Sequence, residues 1–85
     1  MLKMVGKKVL IVDDDLKSAK LIRMLIGNPD GIETASDGME GLNKIKGQRF
    51  DLIISDVHMP GMNGIEMYAE AKKSYPEINE RLLFF

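Results

Sequence analysis

Cysteine is absent from all 85 residues, so no disulfide framework can staple this chain. The paired-cysteine and Cys/His spacings of structural zinc sites are missing with it. That usage fits a reducing compartment, and the cytoplasm is the expected location. Long apolar runs are also lacking: residues 9–12 and 52–54 fall far short of the ~20 residues that a membrane helix needs. No membrane span is expected, and no export signal either, because residues 1–8 carry charge but lead into no signal-type apolar stretch. An excess of charge of one sign is missing too. Twelve Lys and Arg against thirteen Asp and Glu leave a formal net charge of −1, with the lysines spread along the chain, so no basic field exists to hold a phosphate backbone. Nucleic acid is not an expected partner.

What remains is an ordinary globular balance, 45% apolar and 29% charged, and residues 1–85 read as one domain. A chain this short buries only about 60–65% of the surface its unfolded form exposes, so each element matters to its stability. The seven methionines fall mostly at apolar helix positions and read as core filling.

Residues 8–12 form a β-branched and Leu run closed abruptly by Asp13, Asp14 and Asp15, the pattern of a strand buried on both faces. From Leu16 the apolar residues recur at Ala19, Ile22, Leu25 and Ile26, which is helical spacing, with Asp15 available as N-cap. Gly27, Asn28, Pro29, Asp30 and Gly31 end that helix. Residues 31–35 are extended. Asp37 followed by Glu40 predicts a capping box for a helix bearing Met39, Leu42 and Ile45, closed by Gly47. Residues 50–55 are a second apolar run, again ended by an acid, Asp56, and followed by the loop His58, Met59, Pro60, Gly61, Met62. Asn63 and Glu66 repeat the capping-box spacing before a helix with Ile65, Tyr68, Ala69 and Lys72, and Pro76 marks its far end. Residues 82–85 begin another strand. Alternating strands and helices with short connections predict a parallel sheet with helices on its faces.

In such sheets ligands bind beyond the carboxyl ends of the strands, where the strand order reverses. Asp13 and Asp14 end the first strand and Asp56 ends the third, and in the order 2-1-3 those strands are neighbours. Two carboxylates ~5 Å apart repel by roughly 3 kcal/mol at an effective dielectric of 20, a strain that a shared cation relieves. Hard oxygens, few in number and with room for water, suit Mg²⁺. Asp56 stands alone at its strand end, placed to act as nucleophile on a phosphoryl group. The loop methionines Met59 and Met62 are expected to pack over the sheet end, and His58 to be exposed.

The run Val9, Leu10, Ile11, Val12, Asp13, Asp14, Asp15, together with Asp56, Val57, His58, Met59, Pro60, Gly61, Met62, Asn63, Gly64, resembles the receiver domains of two-component response regulators. The resemblance covers essentially the whole chain, and an acidic cluster joined to Asp-x-x-Met-Pro-x-Met-x-Gly is highly specific to that family. It implies an α/β, flavodoxin-like parallel sheet of order 2-1-3-4. Asp56 then matches the phosphoacceptor, charged from a phosphohistidine on a sensor histidine kinase or a histidine phosphotransfer protein. Asp14 matches the direct Mg²⁺ ligand, Asp13 the acid that binds the ion mainly through water, and His58 the position that gives a backbone carbonyl to it. The family's Ser or Thr after strand four and its Lys after strand five have no match here. The chain is thus expected to hold three βα units and the start of strand four, a signalling domain rather than an enzyme.

Strand four at an open edge is expected to self-associate. Two other readings compete. One is a receiver fragment that binds a cation and transfers nothing. The other is a haloacid dehalogenase-like phosphatase, suggested by the Asp13-x-Asp15 spacing but weakened by Leu16 and Lys17, where that class has a small residue and Thr or Val. A dinucleotide site is disfavoured, since an acidic turn replaces the Gly-rich phosphate loop after strand one.

Overall fold

Strand β1 (Val9–Val12) is completely buried, and it lies at the centre because an all-apolar segment must be covered on both faces. The computed structural model describes residues 6–26 and 31–85. Around β1 run β2 (Ile32–Ala35), β3 (Leu52–Ser55) and β4 (Leu82–Phe84), all parallel, in the order β2-β1-β3-β4. This is the expected flavodoxin-like order. Helices α1 (Leu16–Ile26), α2 (Gly38–Gly47) and α3 (Gly64–Ser74) connect the strands, and a 3-10 helix (Pro76–Glu80) leads from α3 into β4. That last element carries no apolar periodicity to announce it, although Pro76 at its start fits a short tight helix.

The pleat of β1 sends alternate side chains to two separate cores. Leu10 and Val12 join Ile53, Leu42, Ile45, Met67, Ala71 and Phe50 on the side of α2 and α3. Val9 and Ile11 meet Ala19, Ile26 and Ile32 on the side of α1. Each fully buried Leu or Ile contributes about 1.5–3 kcal/mol, so these two layers fix the register that aligns the strand ends. On the α1 side cover is incomplete. Leu52 and Ile54 of β3 are only partly buried, and Leu83 of β4 is exposed.

Three sequence expectations need correction. In α3 the buried residues are Gly64, Met67 and Ala71, whereas of the four residues read along that helix Tyr68 is partly buried and Ile65, Ala69 and Lys72 are exposed. The helix is turned so that Met67 fills the space over β1 and β3, and Tyr68 goes to its flank, edge-on to Phe84. In α1, Ala19 and Ile26 are buried and Ile22 partly so, but Leu16 and Leu25 are exposed, because a single helix on this face presents only a narrow arc to the sheet. In α2, Asp37 accepts from the Glu40 amide (2.8 Å), yet the Glu40 carboxylate takes the Ser36 hydroxyl (3.3 Å), so only half of the expected box forms. The box at Asn63 and Glu66 is complete, with bonds of 2.9 and 3.0 Å. The predicted helix end at Gly27, Asn28, Pro29 and Asp30 lies outside the described residues.

Candidate functional site

The register decides where the acids meet. Val12 pairs with Ala35 on one side and Ser55 on the other, so Asp13 and Asp56 each follow the last paired residue of adjacent strands. The Asp13 amide donates to the Ala35 carbonyl (3.0 Å) and the Asp56 amide to the Val12 carbonyl (2.8 Å), which carries the ladder one residue beyond the strands and holds both acids at the same level. Asp14 joins them from the turn. One carboxylate oxygen from each of Asp13, Asp14 and Asp56 lies within 4.8 Å of the others.

Their environments differ. Asp13 is buried (2% exposed), Asp56 is half-buried and Asp14 is exposed. Asp13 Oδ1 accepts from the Asp15 amide (2.8 Å), but Oδ2 is buried with no partner among the described residues. Burial pushes the Asp13 carboxyl above its ordinary range; the Asp15 amide works against that, and the nearby charges of Asp56, Asp15 and Asp14 add to it. Asp15 itself caps α1, its carboxylate accepting from the Lys17 amide (2.9 Å) and the Ser18 hydroxyl (3.2 Å). It belongs to the turn and not to the cluster.

Asp56 is held from below and from one side. The His58 amide donates to its Oδ1 (3.1 Å), whereas no donor among the described residues meets Oδ2. The loop that follows is pinned by Met59, buried in the core, and by Met62 packed against it, while His58 and Pro60 are exposed. Gly61 has φ +72°, a left-handed conformation that a side chain would strain. Gly64 closes the loop, its amide donating to the Val57 carbonyl (3.0 Å). A Cβ there would overlap the Asp56 carbonyl oxygen.

The site thus contains the three acids that the sequence pointed to, in one place. Two participants were missed. Ser55 is fully buried and donates its hydroxyl to the Asp56 carbonyl (2.9 Å), and Gly64 supplies the close approach of α3. The signal for Ser55 was a lone hydroxyl in an otherwise apolar strand. A buried carboxylate with one orphaned oxygen, grouped with two further carboxylates, is the donor set of a hard divalent cation. It is ill suited to an anion without one, since repulsion between such charges is about 3 kcal/mol per pair at an effective dielectric of 20.

Comparison with known proteins agrees with this geometry. The family described as the response regulator receiver domain matches residues 9–81. A CpxR homolog of Haemophilus influenzae, a transcriptional regulatory protein, is 40% identical over 68 residues, 78% of this chain and 29% of its own length. The chain spans about a third or less of the first curated relatives it matches. Among solved structures, the Vibrio cholerae chemotaxis protein CheY4 superposes with a TM-score of 0.76 at 34% identity, over 99% of this chain and 67% of that one. The response regulator protein TrrA of Thermotoga maritima, solved in complex with Mg²⁺-BeF, gives 0.77 at 31% identity, over 92% and 65%.

Proposed function

The chain belongs to the response regulator receiver domain family, and on that premise we propose that it accepts a phosphoryl group on Asp56 with Mg²⁺ as cofactor. The observation that carries this reading is the convergence of Asp13, Asp14 and Asp56 within 4.8 Å, with Asp13 Oδ2 left unpartnered. Asp14 and Asp56 would hold the ion directly, Asp13 mainly through water, and the His58 main-chain carbonyl would complete the protein ligands. When bound, Mg²⁺ neutralises charge on the site's carboxylates and on the incoming phosphoryl oxygens.

The protein's own part is positional. The His58 amide orients the Asp56 carboxylate through Oδ1 and leaves Oδ2 free to attack phosphorus in line. A bond forms between that oxygen and phosphorus as the bond from phosphorus to the donor nitrogen breaks, and the departing imidazole takes up a proton from solvent water. The donor is a phosphohistidine of a sensor kinase or a histidine phosphotransfer protein. The same chemistry needs no turnover, so the chain acts as a signalling domain and not as an enzyme. A cytoplasmic location follows from that partner class. No helix among the described residues is long and apolar enough to cross a membrane.

Exposure of Leu83, Phe84 and Phe85 at the open edge of β4 supports a further part of the reading, self-association through that strand. Phosphorylation is tested by intact-mass analysis after incubation with acetyl phosphate and Mg²⁺. One added phosphoryl group, lost in Asp56→Asn and without Mg²⁺, is expected; a folded protein that stays unmodified overturns the assignment for this chain. Hydrolysis of a phosphomonoester abolished by Asp13→Asn would favour the phosphatase reading instead.

A further inference from the structure

We infer that the end of the sheet remote from the aspartates carries a second site, for a small oxyanion of the phosphate or carboxylate class, built by Lys46, Arg49 and Arg81. These residues lie where the chain leaves α2 and where it turns into β3 and β4, at the opposite strand ends from Asp13 and Asp56. Together with Gln48, Tyr75 and Glu77 they line a cavity of about 230 Å³.

Arg81 is the anchor. Its side chain is only 10% exposed, with Nη1 donating to the Phe50 carbonyl (2.7 Å) and Nη2 to Glu77 (3.0 Å). Its Nε is buried and has no acceptor among the described residues. The one carboxylate that balances this desolvated charge, Glu77, is itself about half exposed. With both terminal nitrogens engaged, the guanidinium is fixed in place as a positive wall of the cavity.

The remaining charges point the same way. Arg49 pairs with Asp51 (2.9 Å), which is not part of the cavity lining, and Lys46 makes no ion pair among the described residues. The Glu77 carboxyl is held below its ordinary range, first by its own backbone amide and then by Arg81, with Arg49 contributing. The C-terminal end of α2 opposes an anion with about half an elementary charge. Three cations against two carboxylates, Glu77 in the lining and Asp51 beside it, still outweigh it. The proposed phosphoryl chemistry uses none of these residues.

The test is a titration of the isotope-labelled, metal-free protein with inorganic phosphate, and separately with malonate, at constant ionic strength set by NaCl. Saturable amide shifts centred on Gln48, Arg49, Glu77 and Arg81 are expected, weakened at least tenfold in the double variant Lys46→Gln/Arg49→Gln. Both replaced side chains are exposed, so the variant retains the fold. Tighter binding of phosphate than malonate identifies a phosphate-bearing ligand, and the reverse order a carboxylate. Shifts that never saturate, that match NaCl alone, or that survive the double substitution overturn the proposal.

Discussion

Gly64 sits directly against the main-chain carbonyl of Asp56, so near that a Cβ would overlap its oxygen. Helix α3 can start against the end of β3 only because that side chain is missing. Gly64→Ala should force the two apart at a cost of about 1–3 kcal/mol. For a domain of this size that lowers the melting temperature by about 4–8 °C per kcal/mol. Thermal unfolding checks it, and the variant should also take up phosphoryl groups more slowly, because Asp56 shifts with its backbone.

Asp13 should make the metal-free protein less stable as pH rises. Its carboxyl lies above the ordinary range when folded, so the fold binds a proton that the unfolded chain has already lost. The contribution of Asp13 is therefore greatest below the ordinary carboxylate pKa, about 3.9, and is lost as pH climbs through the raised value. Glu33, lowered mainly by Gln48 and Lys44, acts in the opposite direction and is common to both proteins compared. Asp13→Asn retains the acceptor for the Asp15 amide and removes the charge. At pH 7 without metal the variant should melt higher than the parent, with the difference shrinking towards pH 3; a lower melting point at pH 7 contradicts the assignment.

Much of this was legible along the chain. A continuous apolar strand closed by acids announces both a buried β1 and the site at its end, and the parallel order makes β1 and β3 neighbours, whereas the register that brings Asp13 level with Asp56 is set by packing of the two core layers. Helix phase was harder to read. In α3 the apolar or small residues Ile65, Met67, Tyr68, Ala69 and Ala71 allow more than one stripe, and packing of Met67 against the central strands selects among them. In α1 the exposed Leu16, Leu21, Met24 and Leu25 leave the pattern apolar around most of its circumference, so periodicity alone does not single out the buried arc. Glu40 had the right spacing for a box, but Ser36 offers its carboxylate a competing donor. The role of Arg81 depends on a contact with Phe50, thirty-one residues away, that no local pattern encodes.

The completed box at the start of α3 predicts a local effect. Asn63→Ala leaves the Glu66 amide without its acceptor and should cost about 0.5–2 kcal/mol, read as a lower denaturant midpoint with an unchanged slope. Asp37→Ala, where only half of the box exists, should cost less.

The edge of β4 predicts association. The strand is paired on one side only, to β3, and presents Leu83, Phe84 and Phe85 to solvent. The apparent mass by light scattering should rise with concentration. Leu83→Lys, which puts a charge on the exposed face of this edge strand, should return the protein to a monomer. A monomer at all concentrations in the parent contradicts this part of the reading.

The most direct test is thermal unfolding with and without Mg²⁺. A ligand that binds only the folded state stabilises by about 2.7 kcal/mol at a hundredfold excess over its Kd, so the melting temperature should rise with Mg²⁺ concentration, and Asp14→Asn should abolish most of that rise. If the parent does not respond to Mg²⁺, or if Asp14→Asn responds as the parent does, the three aspartates do not share an ion.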